Sequence, residues 1–269
     1  MIWASGKRYG GLMVWSALLL AGVLSMTEMA EAKGSAESAA TITWSDLKVT
    51  TSPGMSLNYS GKQWQSVSVT ATVPGLVQSD ARSTQDWSWI TAQADAFTGT
   101  ALAIGAAAVT LPVNNESGRL GGHSFAASNG GGRSVVDSSA THGIDFTVTG
   151  GGVLTLEVPY SLDIDMRVDN SQDLVSALAG AALLIINHDT RLNQNSWLDY
   201  SWSGFPNHFT DTRSGILSVS LGFGDGETGS YEMSTNAWDS ATSVPEPSTF
   251  ILLGSSLAGL ILYKRRRDT

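Results

Sequence analysis

The sequence predicts an all-β protein whose main domain is a single β-sandwich, with a jelly-roll as one candidate topology. Apolar and polar residues alternate with a period of two in many short runs, which is the pattern of half-buried strands. Turn residues, above all glycine, recur between these runs. No repeat of fixed period is visible, which weighs against a propeller or a β-helix.

Two stretches show the strand pattern most clearly. In 64–73, Val67, Val69, Ala71 and Val73 share one face, and serines and threonines occupy the other. In 144–166, alternation runs up to three glycines at 150–152 and resumes after them. This arrangement predicts a β-hairpin, with Pro159 marking an edge strand or a bulge.

Three other stretches need a choice between structures. The Ala-rich run 92–109 suits a helix by propensity, but Gly99 and Gly105 interrupt it and favour two tightly packed strands. The run 174–186 fits a helix or a buried strand, and its apolar end favours a strand. The segment 224–229 matches G-x-G-x-x-G, but an alternating run follows it, so we interpret it as a hairpin turn and not as a dinucleotide site.

Charge and cysteine content exclude some functions. The chain of 269 residues has 15 Lys and Arg against 24 Asp and Glu, a net charge of −9, so nucleic acid is not an expected partner. The chain has no cysteine, which excludes disulfides, thiol catalysis and cysteine metal sites. Stability must therefore come from a core of adequate size.

The N-terminus has the three parts of a signal peptide, assigned to residues 1–32. Lys7 and Arg8 precede an apolar segment at 12–24, and Ala30 and Ala32 form an A-x-A cleavage site. We expect the sandwich to occupy 33–238 and a polar linker to occupy 239–243. An uncleaved N-terminal anchor is the alternative.

The C-terminal segment 244–269 also has three parts in a fixed order. Val244, Pro245, Glu246 and Pro247 form an extended segment, because each proline fixes φ. A predicted apolar helix at about 249–263 is short for a membrane span, but counting Ser248 to Lys264 gives 17 positions, just enough to cross the inner membrane if Tyr263 and Lys264 sit at the interface. The cluster of Lys264, Arg265, Arg266 and Arg267 would hold its end in the cytoplasm, with the main domain on the far side.

This segment resembles the PEP-CTERM sorting signal of Gram-negative bacteria. The resemblance rests on V-P-E-P at 244–247, the apolar span and K-R-R-R at 264–267. It implies that exosortase, a membrane protease-transferase, cuts near Pro-Glu-Pro and that the protein reaches the cell surface or extracellular matrix of an exopolysaccharide producer. The alternative is an uncleaved C-terminal anchor, since the physics of membrane insertion is the same for both.

Acidic side chains suggest a weak metal site in the main domain. Asp163 and Asp165 would point the same way on a strand, and Asp169 follows in a loop, so these oxygens could bind calcium. The alternative is a solvated acidic surface. The four histidines are scattered without metal-ligand spacing, and no catalytic motif is present, so the sequence favours a non-enzymatic surface protein.

Aromatic residues suggest a weak glycan site. Trp197, Tyr200 and Trp202 lie in the densest aromatic stretch, and Trp197 and Tyr200 would face opposite ways on a strand. Exposed aromatic rings are typical of sugar-binding sandwiches, whereas buried ones would fill the inter-sheet core. The rival function is a glycan-active enzyme that uses carboxylates such as Asp163 or Glu157.

Overall fold

The computed structural model describes most of the main domain. The signal peptide, Pro245, Glu246, Pro247, the apolar C-terminal span and the basic cluster lie outside the described residues. No helix in the described part of the chain is long and apolar enough to cross a membrane. The described ranges are 34–59, 62–85, 88–111, 117–129, 131–169 and 173–244.

The described chain is nearly all β, as predicted. One short 3-10 turn, Trp44–Asp46, is present beside fourteen strands. The strands are β1 (Gly34–Ile42), β2 (Lys48–Thr51), β3 (Ser56–Asn58), β4 (Gln63–Val73), β5 (Leu76–Thr84), β6 (Ile90–Thr98), β7 (Ala101–Val109), β8 (Leu120–Ser128), β9 (Arg133–Thr149), β10 (Gly152–Val168), β11 (Leu174–Asn187), β12 (Asn193–Gly204), β13 (His208–Phe223) and β14 (Thr228–Thr242).

The strands form two antiparallel sheets of seven strands each, and neither sheet closes on itself. Sheet A has the order β13-β10-β1-β8-β7-β6, with β2 beside β10. Sheet B has the order β12-β11-β14-β9-β4-β5, with β3 beside β9. The sheets pack face to face, strand over strand, from β12 over β13 at one side to β5 over β6 at the other. A jelly-roll topology stays a prediction.

Both predicted hairpins are wrong in the same way. The glycines at 150–152 connect β9 in sheet B to β10 in sheet A, and the turn at 224–227 connects β13 in sheet A to β14 in sheet B. The turns themselves are present, with Gly150 and Gly226 at positive φ. The alternating pattern only requires each strand to bury one face, and a strand in either sheet satisfies it.

The ambiguous stretches are strands. Residues 92–109 lie within the hairpin β6–β7, and 174–186 form most of β11. Small residues are needed in β7 because it faces sheet B closely. A Cβ on Gly105 would overlap Val69 and lie 2.8 Å from Val136 Cγ2.

Pro159 lies neither on an edge strand nor in a bulge, contrary to the prediction. Strand β10 pairs with β13 on one side and with β1 and β2 on the other. Pairing with β1 ends at Tyr160 and pairing with β2 ends at Glu157, so Pro159 faces the gap between them. There its carbonyl accepts a bond from Thr43 N at 3.1 Å, and no amide hydrogen is required.

The predicted linker at 239–243 belongs to the folded domain. Strand β14 continues to Thr242, and Asp239 is fully buried. The sequence is polar there, but its alternate side chains face the core. The domain therefore extends past 238 to the last described residue, Val244.

The core is a single cluster that lies between the sheets. It includes the large side chains of Phe146, Leu156, Ile164 and Leu183, which are fully buried. Its centre, between β8 and β14, is made of small and polar residues. Ser124 Oγ donates across the sheets to the carbonyl of Ala237 at 2.7 Å.

Gly105→Ala should lower the free energy of unfolding by about 1–3 kcal/mol, because the new methyl group overlaps two β-branched side chains of the opposite sheet. Urea unfolding of the purified chain measures the change. Gly99→Ala is the matched control, since no atom lies within 4 Å of the added group. Equal stability of the two variants would contradict the close approach of the sheets.

Asp239→Asn should stabilise the protein at pH 7. Burial raises the pKa of Asp239 well above 3.8, although Ser38 N donates to its Oδ2 at 3.0 Å. The protonated carboxyl is thus favoured in the fold, so its stabilising contribution is present below pH 3.8 and is lost as pH rises through the folded pKa. The melting temperatures of variant and wild type should differ at pH 7 and converge near pH 4, and a difference that is the same at both pH values would contradict the prediction.

Candidate functional site

The three aromatic residues predicted to contact glycans do not share a surface. Trp197 points outward from sheet B and is 64% exposed. Tyr200 is buried and Trp202 is half-buried, both on the inward face of β12. Three residues apart, Trp197 and Tyr200 do lie on opposite faces, as the sequence predicts.

Tyr200 and Trp202 instead close one open side of the sandwich. Tyr200 donates a hydrogen bond of 2.6 Å to Asp211 Oδ2 of β13, and the guanidinium of Arg213 lies 3.7 Å from the Tyr200 ring centroid. Trp202 stacks on Phe209 with 5.2 Å between ring centroids. The structure therefore gives these rings a packing role.

Two other tryptophans join Trp197 on the outer surface of sheet B. Trp238 of β14 and Trp64 of β4 both point outward and are half-buried. The ring of Trp64 lies over Gly143, where a Cβ would overlap it. We call the outward surface of sheet B the tryptophan face; its main side chains are Trp64, Trp197, Trp238, Asp199 and Asn236.

A glycine forms a depression within the tryptophan face. Gly180 of β11 pairs with Asp199 of β12 on one side and with Asn236 of β14 on the other. A Cβ on Gly180 would overlap Asn236 Oδ1 and lie 2.5 Å from Asp199 Oδ1, so both oxygens point over the glycine. Trp197 and Trp238 lie at opposite corners of this depression.

The other outward residues of β4, β9 and β14 are mostly polar and rich in hydroxyl groups, whereas those of β11 are mainly apolar. Ser68 and Ser139 are hydrogen-bonded at 2.8 Å, and Asp137 lies directly across from Trp238. Partial burial raises the pKa of Asp137. Aromatic rings beside hydrogen-bonding groups can stack on an apolar sugar face and bond its hydroxyls.

Sequence reasoning missed Trp64, Trp238 and Asn236 as surface residues. Each lies at an outward position of an alternating run, which was a usable signal. The sequence did not show the order of the strands in the sheet. Strands β4 and β14 are far apart in sequence, but in sheet B only β9 lies between them.

The three candidate calcium ligands have separate partners. Thr212 donates to Asp163 at 2.7 Å, His208 Nε2 lies 3.3 Å from Asp165, and Arg167 pairs with Asp169 at 3.0 Å. In the described ranges, no group of three or more His, Asp or Glu side chains is placed to hold a metal ion. A calcium site stays a prediction.

His142 is the most perturbed histidine of the described chain. It faces the core, stacks on Trp44 with ring centroids 4.9 Å apart and approaches Gln65 at 3.3 Å. Burial lowers its pKa from 6.5 to about 4, so the ring is neutral at neutral pH. Its position in the packed core indicates a structural role.

The chain leaves the folded domain without a spacer before the proline segment. Ser243 N donates to the carbonyl of Gly132 at 3.0 Å, and Gly131 N donates to Ser243 Oγ at 2.9 Å. Val244 N then donates to Asp173 Oδ1 at 2.9 Å, and Asp173 is fully buried. Of the predicted processing residues, only Val244 lies in the described part of the chain, and its backbone is hydrogen-bonded to the domain.

Comparison with known proteins adds information about the C-terminus. A search of curated proteins found no match to the chain. A family model matches residues 243–267, at the C-terminal end, and its description is the PEP-CTERM protein-sorting motif. The match begins at Ser243, the residue that β14 brings to the edge of the domain. The chain therefore carries the sorting motif of exported proteins that exosortase processes and that are sorted to the cell surface.

Proposed function

We propose that the protein is a non-enzymatic component of the cell surface or extracellular matrix that binds exopolysaccharide through its tryptophan face. In this proposal residues 1–32 are removed on export, and the helix at 249–263 holds the precursor in the inner membrane until exosortase cuts. The observation that carries the proposal is the coexistence of the sorting motif with three outward tryptophans on one face of sheet B.

The shape of the tryptophan face supports binding of an extended polymer. Trp197 and Trp238 lie two strands and four residues apart, which places their Cα atoms about 16 Å from each other. An oligosaccharide could contact both rings along its length and hydrogen-bond Asp199 and Asn236 between them.

The rival enzymatic role is less well supported. Asp163 and Glu157 lie six residues apart on the outward face of β10, which separates them by about 20 Å. Glycoside hydrolysis requires two carboxyl groups about 5–10 Å apart across the scissile bond. Glu157 is also paired with Lys48 Nζ at 2.9 Å.

Mass measurement tests the processing part. Surface material from a strain with exosortase should lack about 22–25 C-terminal residues, because the cut falls near Pro245–Pro247 in a chain of 269 residues. Without exosortase the tail should be intact. The same spectrum reports the N-terminus, which should begin at Lys33. A full-length tail in both strains would make the motif an ordinary anchor.

A Trp197→Ala, Trp238→Ala double variant should bind exopolysaccharide about tenfold or more weakly, because each lost ring removes stacking area. Isothermal calorimetry with the purified chain measures the affinity, and reducing-end release measured in parallel tests for hydrolysis. Phe97→Ala, which removes an aromatic ring 59% exposed at the edge of sheet A, is the matched control. Equal loss in the control, or release of reducing ends by the wild type, would contradict the proposal.

A further inference from the structure

We propose that the depression over Gly180 is a subsite for an ammonium-bearing sugar, so that the polysaccharide bound by the tryptophan face carries free amino groups. This inference rests on the proposed function and specifies its ligand. The subsite comprises Gly180, Asp199 and Asn236, with Trp197 and Trp238 at its corners.

The subsite offers two hydrogen-bond acceptors at one point. Asp199 Oδ1 and Asn236 Oδ1 approach the position of the missing Gly180 side chain from neighbouring strands. In the described part of the chain, neither side chain forms a hydrogen bond or an ion pair. Such a pair of acceptors suits a ligand group with several donors at one atom. An ammonium group has three donors and no acceptor, whereas a hydroxyl has a single donor.

The charge of the surrounding surface favours a cation. The outward positions of sheet B, from β12 at one edge to β5 at the other, include four carboxylates. These are Asp137 and Asp145 of β9, Asp199 of β12 and Glu232 of β14. Arg133, the first residue of β9, is the one Lys or Arg among these outward positions of the described strands, and its partner Thr242 lies six residues from Asn236 along β14. An anionic polysaccharide would be repelled, and a cationic one attracted.

The rings of Trp197 and Trp238 also favour a cationic ligand. An ammonium group near the face of a tryptophan is attracted by the ring quadrupole, and Trp binds cations best among the aromatic residues. Trp197 is 64% exposed, so its ring is open to a ligand approaching from solvent. A sugar seated over Gly180 would have one such ring on the side of β12 and another on the side of β14.

The test compares three oligosaccharides of equal length by calorimetry with the full-length chain in detergent at low salt. The probes are a glucosamine hexamer, its N-acetylated counterpart and a hexamer of uronic acids. We expect the glucosamine hexamer to bind about tenfold or more tightly than the N-acetylated one, because acetylation removes the charge. The uronic acid hexamer should bind weakest.

Two variants connect this preference to the subsite. The three atoms nearest to the methyl group added by Gly180→Ala belong to the flexible side chains of Asn236 and Asp199, which can move apart, so this variant should leave the melting temperature unchanged. It should lower the affinity for the glucosamine hexamer about tenfold, as should Asp199→Asn, because a charge-assisted bond is lost. The matched controls are Gly99→Ala and Asp163→Asn, which change an open turn and an exposed carboxylate of sheet A.

The outcomes separate the inference from the proposed function. Equal binding of the glucosamine and N-acetylated hexamers, or wild-type affinity in both subsite variants, overturns the subsite but leaves glycan binding by the tryptophan face. Strongest binding of the uronic acid hexamer also overturns it. Binding of none of the three probes, nor of native exopolysaccharide, overturns both proposals.

Discussion

The close approach of the two sheets between β8 and β14 is the constraint on which the rest of the structure depends. Ser124 Oγ reaches the backbone carbonyl of Ala237 in the opposite sheet, and Ser38 N reaches the side chain of Asp239. These bonds require small residues on both sides, so alanine, serine and glycine occupy the centre of the core. Larger side chains such as Phe146 and Leu156 fill the core outside this narrow centre.

This packing also fixes the outer surfaces. A strand that buries alternate residues must present the remaining ones to solvent, so the core positions of β11 and β14 dictate that Gly180, Asn236 and Trp238 point outward. Because β14 is paired on both sides, these outward positions are held on a rigid part of the sheet. The tryptophan face therefore needs no loop to bring its groups together.

The sequence predicts strands well and their partners poorly. Alternation alone located β4, β9 and β10, and Gly99 and Gly105 favoured strands over a helix in 92–109. It could not tell that β9 and β10 belong to different sheets, since both bury one face in the same core. For the candidate site, alternation separated Trp197 from Tyr200. Bringing Trp197 near Trp238 required the pairing of β12, β11 and β14, which depends on contacts distant in sequence.

The position of β14 has a mechanical consequence. It is the last strand of the domain, it runs directly into the sorting motif, and it is paired along its length with β11 and β9. Ladder hydrogen bonds lie perpendicular to the strand axis. A pull applied through the tail along that axis would load both ladders in shear, so the bonds would share the force and would not unzip one after another. The domain is thus built to carry tension at its C-terminal end.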